Sequence, residues 1–424
     1  MMKNLSLCKT FFVTLLMCCF LQKSLLAQQL SAGCKVSLIT VEPGNELNDA
    51  FGHTLLWIYD PMTQVDKAYN FGVYDFETEN FYWKFVRGQL PYKMSYAPIQ
   101  LYQQYYRENH RKMTEQVLDL SIAQKQKVYD ELERTYNDPS KRVYMYKFFY
   151  DNCATRIRDA IMVACTDSLH LQNIVEMNDS TYRQWMNKCL IRKHHYWSAL
   201  GMNIALGAPA DERILQLKSC YLPENLQRSM RSAKRMTRHV LRFLVRSEST
   251  MYETTSIDDE PLFVFTPRFW LLLAFFYTIY VTYNHWKKRQ KGYSYDRILF
   301  AIVGVVGWVL LFLWFGTDHG VTNNNRNLLW AMPLHLPLIL MMKEKNGSYW
   351  YGYYFIFVGL LLAMGLFYAV QYSVDITIIV LMLITRAFYH AGFEREHRMT
   401  QTKFRKIIKG RRLEVIHKEH VDFE

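Results

Sequence analysis

The chain of 424 residues lacks the spacings that hold zinc: it has no HExxH and no paired CxxC, and the adjacent His194 and His195 cannot stand as two ligands on one helix face. No metal and no other cofactor is required. It also lacks a motif interleaving aromatic and basic residues for nucleic-acid binding. The formal net charge of +13 gathers instead in a basic stretch after residue 226 and in the C-terminal tail, so no nucleic-acid partner is expected. A lipobox is missing too, because "LLMC" before Cys18 has no small residues just ahead of the cysteine.

What is present is strongly apolar and unevenly distributed. Residues 1–27 carry early lysines, an apolar run from Phe11 to Leu21 and a small residue at Ala27, which describes a secretory signal and an exported bulk. Apolar segments crowd the C-terminal third at 268–285, 298–315, 327–342, 350–371 and 374–390, lengths that fit membrane helices. The third and fifth are short enough to be tilted or partly re-entrant. With the N-terminal domain outside, "HWKKRQKGYSYD", Lys343, Lys345 and the basic tail after Arg386 all fall inside, and "GTDHGVTNNN" falls outside. The expected domains are a signal at 1–27, an exported domain at 28–222, a basic amphipathic juxtamembrane segment at 223–265, a five-helix membrane domain at 266–390 and a cytoplasmic tail at 391–424. Within the juxtamembrane segment, residues 226–249 read as one Arg-rich helix. It is either solvated on its polar face or laid on the membrane with Met230, Val240, Leu241 and Leu244 towards lipid.

The exported part contains Cys34, Cys153, Cys165, Cys189 and Cys220, an odd number in an oxidising compartment. Four can form two disulfides, in pairings the sequence does not disclose, and one must stay free. Cys153 is the one set apart. In "YDNCATRIRDA", Ala154, Ile157, Ile161 and Ala164 recur at helical spacing, so Cys153 stands on a first turn capped by Asp151 or Asn152. There the helix dipole favours thiolate over thiol. A nucleophilic thiol needs a base. His110, His170, His194, His195 and His239 lie in polar or basic stretches and read as solvated, whereas His53 opens the apolar strand "FGHTLLWIYD", which a turn joins to a second strand, "KAYNFGVYDF". Gly52 allows close backbone approach beside it.

A histidine on an early strand followed by a cysteine at a helix start resembles the circularly permuted branch of the NlpC/P60 superfamily, which includes the lecithin:retinol acyltransferase-like enzymes. The expected fold is therefore an α+β, papain-like exported domain followed by an α-helical multispan domain of about five helices. Taken with "GNELNDAFGHTLLWIYD", "YNFGVYDF", "GQLPYKM", "YDNCATRIRD", "LGAPAD" and "DHGVTNNNRNLLWAMPLHLP", the chain is similar to the Lnb family, lipoprotein N-acyltransferases of Bacteroidetes, over nearly its whole mature length. The resemblance implies transfer of an acyl chain from a phospholipid to the N-terminal amine of a diacylglyceryl-cysteine lipoprotein, with Cys153 as nucleophile and His53 as base. It implies a bacterial inner-membrane protein with its catalytic domain in the periplasm.

Asn70, on the strand after His53, is the candidate orienting residue, with Asp75 behind it. Asn152 and the first-turn N–H groups are candidates for holding an oxyanion. In the external loop and short third span, His319, Asn325, Arg326 and His335 are candidates for lipid or acceptor binding. His335, between Pro333 and Pro337, has the alternative of bonding freed backbone carbonyls. Two rivals remain open. A membrane-anchored peptidoglycan endopeptidase or amidase would use the same thiol and histidine but leave the spans without purpose. A non-enzymatic scaffold would need neither.

Overall fold

The computed structural model describes residues 28–165, 169–237, 240–254, 260–290, 292–341, 350–368 and 373–392. The signal segment, His239, Lys343, Lys345 and all but the first residues of the basic tail lie outside these. The exported part is built on one antiparallel sheet of seven strands: β1 (Lys35–Val41), β2 (His53–Asp60), β3 (Val65–Val73), β4 (Pro91–Ala97), β5 (Met113–Leu118), β6 (Val143–Met145) and a late strand, Val245–Tyr252, in the order late strand–β5–β1–β2–β3–β4–β6. Alternation decides the two faces. Leu56, Ile58, Tyr69 and Phe71 point to a core shared with three helices, while Leu55, Trp57 and Ala68 point to the other side.

Apart from two four-residue helices, Pro139–Arg142 and Gln216–Ser219, the described helices of this part are α1 (Phe81–Val86), α2 (Ile99–Glu108), α3 (Ile122–Asn137), α4 (Cys153–Cys165), α5 (Tyr182–Arg192), α6 (Tyr196–Ala205) and α7 (Pro223–Ser232). α3, α4 and α7 cover the first face through Val128, Leu132, Ile157, Ile161, Leu226 and Met230, and α2 covers the second through Ile99 and Tyr106. All the apolar positions expected of α4 are buried.

The basic segment 226–249 is not one helix. α7 ends at Ser232, after which the chain forms short strands at Lys234–Thr237 and Val240–Phe243 and then the edge strand at Val245–Tyr252. Met230 and Leu244 are core residues, and only Val240 and Leu241 stay exposed. The physical reason is the edge of β5, whose backbone groups are satisfied by the late strand along Met113–Leu118. The sheet therefore runs past the expected boundary at residue 222. The cysteines differ from expectation as well: Cys34, Cys153, Cys165, Cys189 and Cys220 are all free and buried, in place of two disulfides.

The membrane-side part contains α8 (Pro267–Lys288), α9 (Ser294–Phe315), the short α10 (His335–Met341), α11 (Trp350–Tyr368) and α12 (Val374–Gly392). α9 and α12 are long and apolar enough to cross a membrane. The third apolar segment is the short, broken one: a single 3₁₀ turn at Arg326–Leu329 precedes α10. It packs tightly on α9 because Gly304 and Gly307 have no Cβ; one built on Gly307 would stand 2.1 Å from the Ala331 carbonyl oxygen.

The two parts meet through backbone. The last carbonyls of α6, on Asn203, Ile204 and Ala205, accept hydrogen bonds from the side-chain amides of Asn325 and Asn327 in the membrane-side loop, at 2.8–3.0 Å. A helix end that would otherwise leave its carbonyls unpaired is thus capped by a distant segment. Gly207 N–H donates to the Val321 carbonyl at 2.9 Å.

Among the membrane helices one ion pair is wholly buried: Arg386 of α12 makes a two-pronged contact with Asp296 of α9, both arms at 2.7 Å, with His390 at 2.8 Å from the same carboxylate. Breaking a buried pair strands a charge, whereas replacing both members with apolar groups does not. Arg386→Met alone is expected to lower stability by about 3–5 kcal/mol. Asp296→Leu combined with Arg386→Met should recover most of that. Thermal unfolding of the detergent-solubilised variants decides it, and equal loss in both would show that the pair's charge is not what matters.

Candidate active site

Cys153 is the first residue of α4, and Asn152 is its cap. The Asn152 Oδ1 accepts from the N–H groups of Ala154 at 3.0 Å and Thr155 at 2.9 Å, as a good cap does. Asp151 takes no part, being held in a two-pronged pair by Arg156 at 2.6 and 2.8 Å. Both hydrogens of the Asn152 amide are also spent, on the carbonyls of Phe148 and Tyr221 at 2.8 Å each. Asn152 is thus a positioning residue, with no donor left to face an oxyanion. With the second and third N–H groups of α4 occupied by the cap, the Cys153 N–H is left without a hydrogen bond among the described residues.

His53 comes to the thiol from the start of β2. The preceding Gly52, at φ +78°, brings the chain so close to β1 that a Cβ there would lie 2.8 Å from the Val41 carbonyl oxygen. The His53 side chain is hydrogen-bonded to Cys153 and, through Nε2, to Asn70 Oδ1 at 2.8 Å. β2 and β3 pair with Leu55 opposite Asn70, so His53 and Asn70 are diagonal neighbours on one face of the sheet. The Tyr102 hydroxyl of α2 is hydrogen-bonded to the Asn70 and Ser95 side chains. With the Asn70 N–H₂ turned to Tyr102 and its oxygen to the ring, His53 donates from Nε2, which leaves Nδ1 as the nitrogen facing the sulfur. Asp75 is exposed and accepts from the Glu77 N–H in a turn, away from the ring.

Two further donors reach the sulfur: the Thr54 backbone N–H and the Tyr146 hydroxyl. Burial alone pushes the Cys153 thiol up, but the His53 charge, its hydrogen bond and these two donors outweigh that and hold it below its ordinary value. Burial likewise pulls His53 down, and the neighbouring thiolate and the Cys153 and Asn70 hydrogen bonds raise it despite the opposing Arg111. The same causes, burial first and the Cys153 charge next, push the Tyr146 hydroxyl well up, so it stays a donor. At Cys34, Cys165, Cys189 and Cys220 burial outweighs the lowering influences, such as Lys125 beside Cys34, Arg235 beside Cys165, Arg192 beside Cys189 and the Ser229 hydrogen bond to Cys220, and pushes each up to about 11. Tyr146 escaped sequence reading although its alternation with Tyr144 was visible; which ring faces the thiol depends on how β6 meets α4.

The remaining candidates have other work. His319 Nε2 bonds the Val86 carbonyl oxygen at 2.9 Å, and Asn325 caps α6. Arg326 is exposed beside that cap. His335 is buried between the Tyr354 hydroxyl at 2.6 Å and the Trp330 carbonyl oxygen at 3.1 Å, the backbone-satisfying alternative.

Because Cys153 is lowered and His53 raised, the thiolate persists to lower pH than an ordinary thiol's would. A small thiolate-specific reagent at pH 6.5 is expected to label Cys153 ahead of the other four. His53→Ala should slow that labelling by about 100-fold, since an ordinary thiol is only about 1 % ionised there. If Cys153 reacts no sooner than Cys165 or Cys220, it is an inert core residue.

Residues 22–188 match the family model described as the Lnb N-terminal periplasmic domain, and residues 258–397 match the Lnb transmembrane domain. No curated protein and no solved structure matches the chain. The sheet described above therefore belongs to a periplasmic part joined to a membrane part, with the late edge strand at Val245–Tyr252 between the two matched ranges. The chain belongs to the Lnb family.

Proposed function

We propose that the protein is a lipoprotein N-acyltransferase in which Cys153 carries the acyl group as a thioester. The observation that carries this reading is a thiol at a helix start, ionised below its ordinary range, against an imidazole that Asn70 orients. These are the parts of a papain-like site with base before nucleophile in the chain. The α+β sheet with α4 against β2 is compatible with a permuted NlpC/P60-type domain.

In the first half-reaction His53 Nδ1 takes the thiol proton, and the thiolate attacks the ester carbonyl carbon of a phospholipid. In this reading the Cys153 N–H and the Tyr146 hydroxyl donate to the oxyanion that forms. On collapse the C–O bond to glycerol breaks, His53 returns its proton to the departing lysophospholipid oxygen, and the acyl thioester remains. In the second half the N-terminal amine of a diacylated lipoprotein attacks the thioester and gives a proton to His53. The C–N bond forms, the C–S bond breaks and the thiolate is restored. Kinetics should be ping-pong.

Docking supports a lipid substrate over a cell-wall peptide. The catalytic part is held against the membrane part by α6, whose Leu200 and Ile204 pack on the apolar core containing Phe300 and Trp330. A wall hydrolase needs a tether and not such an interface. A multi-pass inner-membrane protein with a cytoplasmic C-terminus follows from the same reading.

The test is mass spectrometry of lipoprotein N-terminal peptides from cells carrying the intact protein or Cys153→Ala. N-acylation is expected only with the intact protein. Equal N-acylation in both would remove the proposal and favour peptide cleavage in the cell wall.

A further inference from the structure

α1 is an odd helix for a water-exposed domain. Tyr82 is 78 % exposed, Trp83 55 % and Phe85 53 %, and Phe76 beside them is 67 % exposed. A contiguous aromatic patch of this kind marks a binding surface. Its height relative to the bilayer is given by its contacts. The Trp83 ring stacks on Phe312 at 6.0 Å, the Arg87 Nε donates to the Gly316 carbonyl at 3.2 Å, and the Asp318 N–H donates to the Arg87 carbonyl at 2.7 Å. Phe312 is in the last turn of α9, a helix long and apolar enough to cross a membrane, and Gly316 follows its end. α1 is therefore pinned at the outer end of a span, where aromatic side chains sit best between hydrocarbon and headgroups.

From α1 a line of rings leads to the thiol. Phe85 stacks on Phe81 at 6.4 Å, Phe81 meets Tyr74 at 5.9 Å, Tyr74 meets Tyr92 at 5.4 Å, and Tyr92 meets Tyr146 at 4.8 Å. Tyr146 is the residue hydrogen-bonded to Cys153. Phe81, Tyr74, Tyr92 and Tyr146 are each half-buried, so the line runs close to the surface. Room beside Tyr146 comes from Gly72, whose absent Cβ would stand 3.2 Å from its ring. Each ring presents apolar area, and none carries a charge that would repel a hydrocarbon chain.

We infer that α1 and Phe76 dip into the outer leaflet and that the rings from Phe81 to Tyr146 form a ramp along which the acyl chain of a bilayer phospholipid reaches Cys153. This deepens the acyl-transfer reading and rests on it. The ramp explains how a sulfur in a folded domain meets an ester at the headgroup level: the chain leaves the leaflet beside α9 and slides over apolar rings instead of crossing water. The aromatic edge of Tyr146 then serves the donor while its hydroxyl serves the sulfur.

The experiment uses the full chain in vesicles of phosphatidylethanolamine and phosphatidylglycerol. A photoreactive p-benzoylphenylalanine replaces Tyr82 in one protein and Met62 in another; Met62 is equally exposed but lies in the β2–β3 turn, at the far end of the strand from His53. Phospholipid adducts are expected at position 82 and not at 62. Separately, Phe76→Ser with Tyr82→Ser and Phe85→Ser is expected to slow thioester formation on Cys153 from vesicle phospholipid by about tenfold or more, the effect of losing apolar burial worth upwards of one aromatic ring. These three side chains are exposed, so the triple variant should fold, as near-unchanged thermal unfolding will confirm. Adducts no more frequent at 82 than at 62 overturn the placement. Adducts at 82 with an unchanged acylation rate in the triple variant overturn the ramp. If the unaltered protein forms no thioester from phospholipid while adducts still appear at 82, it is the acyl-transfer reading that has failed, and the ramp falls with it.

Discussion

Asn152 is the residue on which the site depends. One short side chain accepts from two N–H groups at the start of α4 and donates to the carbonyls of Phe148 and Tyr221. The cap holds the helix start against the loop after β6 and against the buried segment at Tyr221. It occupies the second and third donors of the helix and leaves the first, on Cys153 itself, to other partners. Position, dipole and a free N–H at the thiol all follow from it.

Around that anchor the sheet supplies the rest. β2 and β3 set His53 and Asn70 diagonally on one face, and α2 reaches over that face to hold Asn70 through Tyr102. Against the cost of burial the thiolate is favoured by His53, the Thr54 N–H and the Tyr146 hydroxyl. The four other cysteines of the exported part show the contrast: burial outweighs the nearby cations and the single Ser229 hydrogen bond at Cys220, and all four are pushed up. Burial does not make a cysteine reactive or unreactive; the donors that accompany it do.

The membrane part is joined to the periplasmic part largely through backbone hydrogen bonds. α6 ends with three carbonyls outside its helical ladder, and Asn325 and Asn327 bond them from across the interface, sharing that of Asn203 with Arg183. The same loop anchors α1 at the outer end of α9 through Arg87, Asp318 and His319. Of the polar residues that resemble a headgroup-binding cluster in sequence, Asn325 and His319 thus bond backbone of the periplasmic part.

Much was legible in the sequence because it is locally encoded. Alternating apolar residues marked β2 and β3, helical spacing after Cys153 marked α4, Gly52 marked the close approach to β1, and apolar length marked the membrane segments, including the short third one. A histidine on a strand and a cysteine at a helix start could be paired on chemistry alone. What the chain keeps local, a pattern can report. The rest was decided by contacts between distant segments: Asn152 and not Asp151 as cap, because Arg156 holds the carboxylate; Tyr146 at the sulfur, because β6 packs beside α4; five free cysteines, because none meets another. The stretch after Ser232 became strand because the open edge of β5 offered its backbone a ladder, a partner more than 100 residues away that no window of sequence contains.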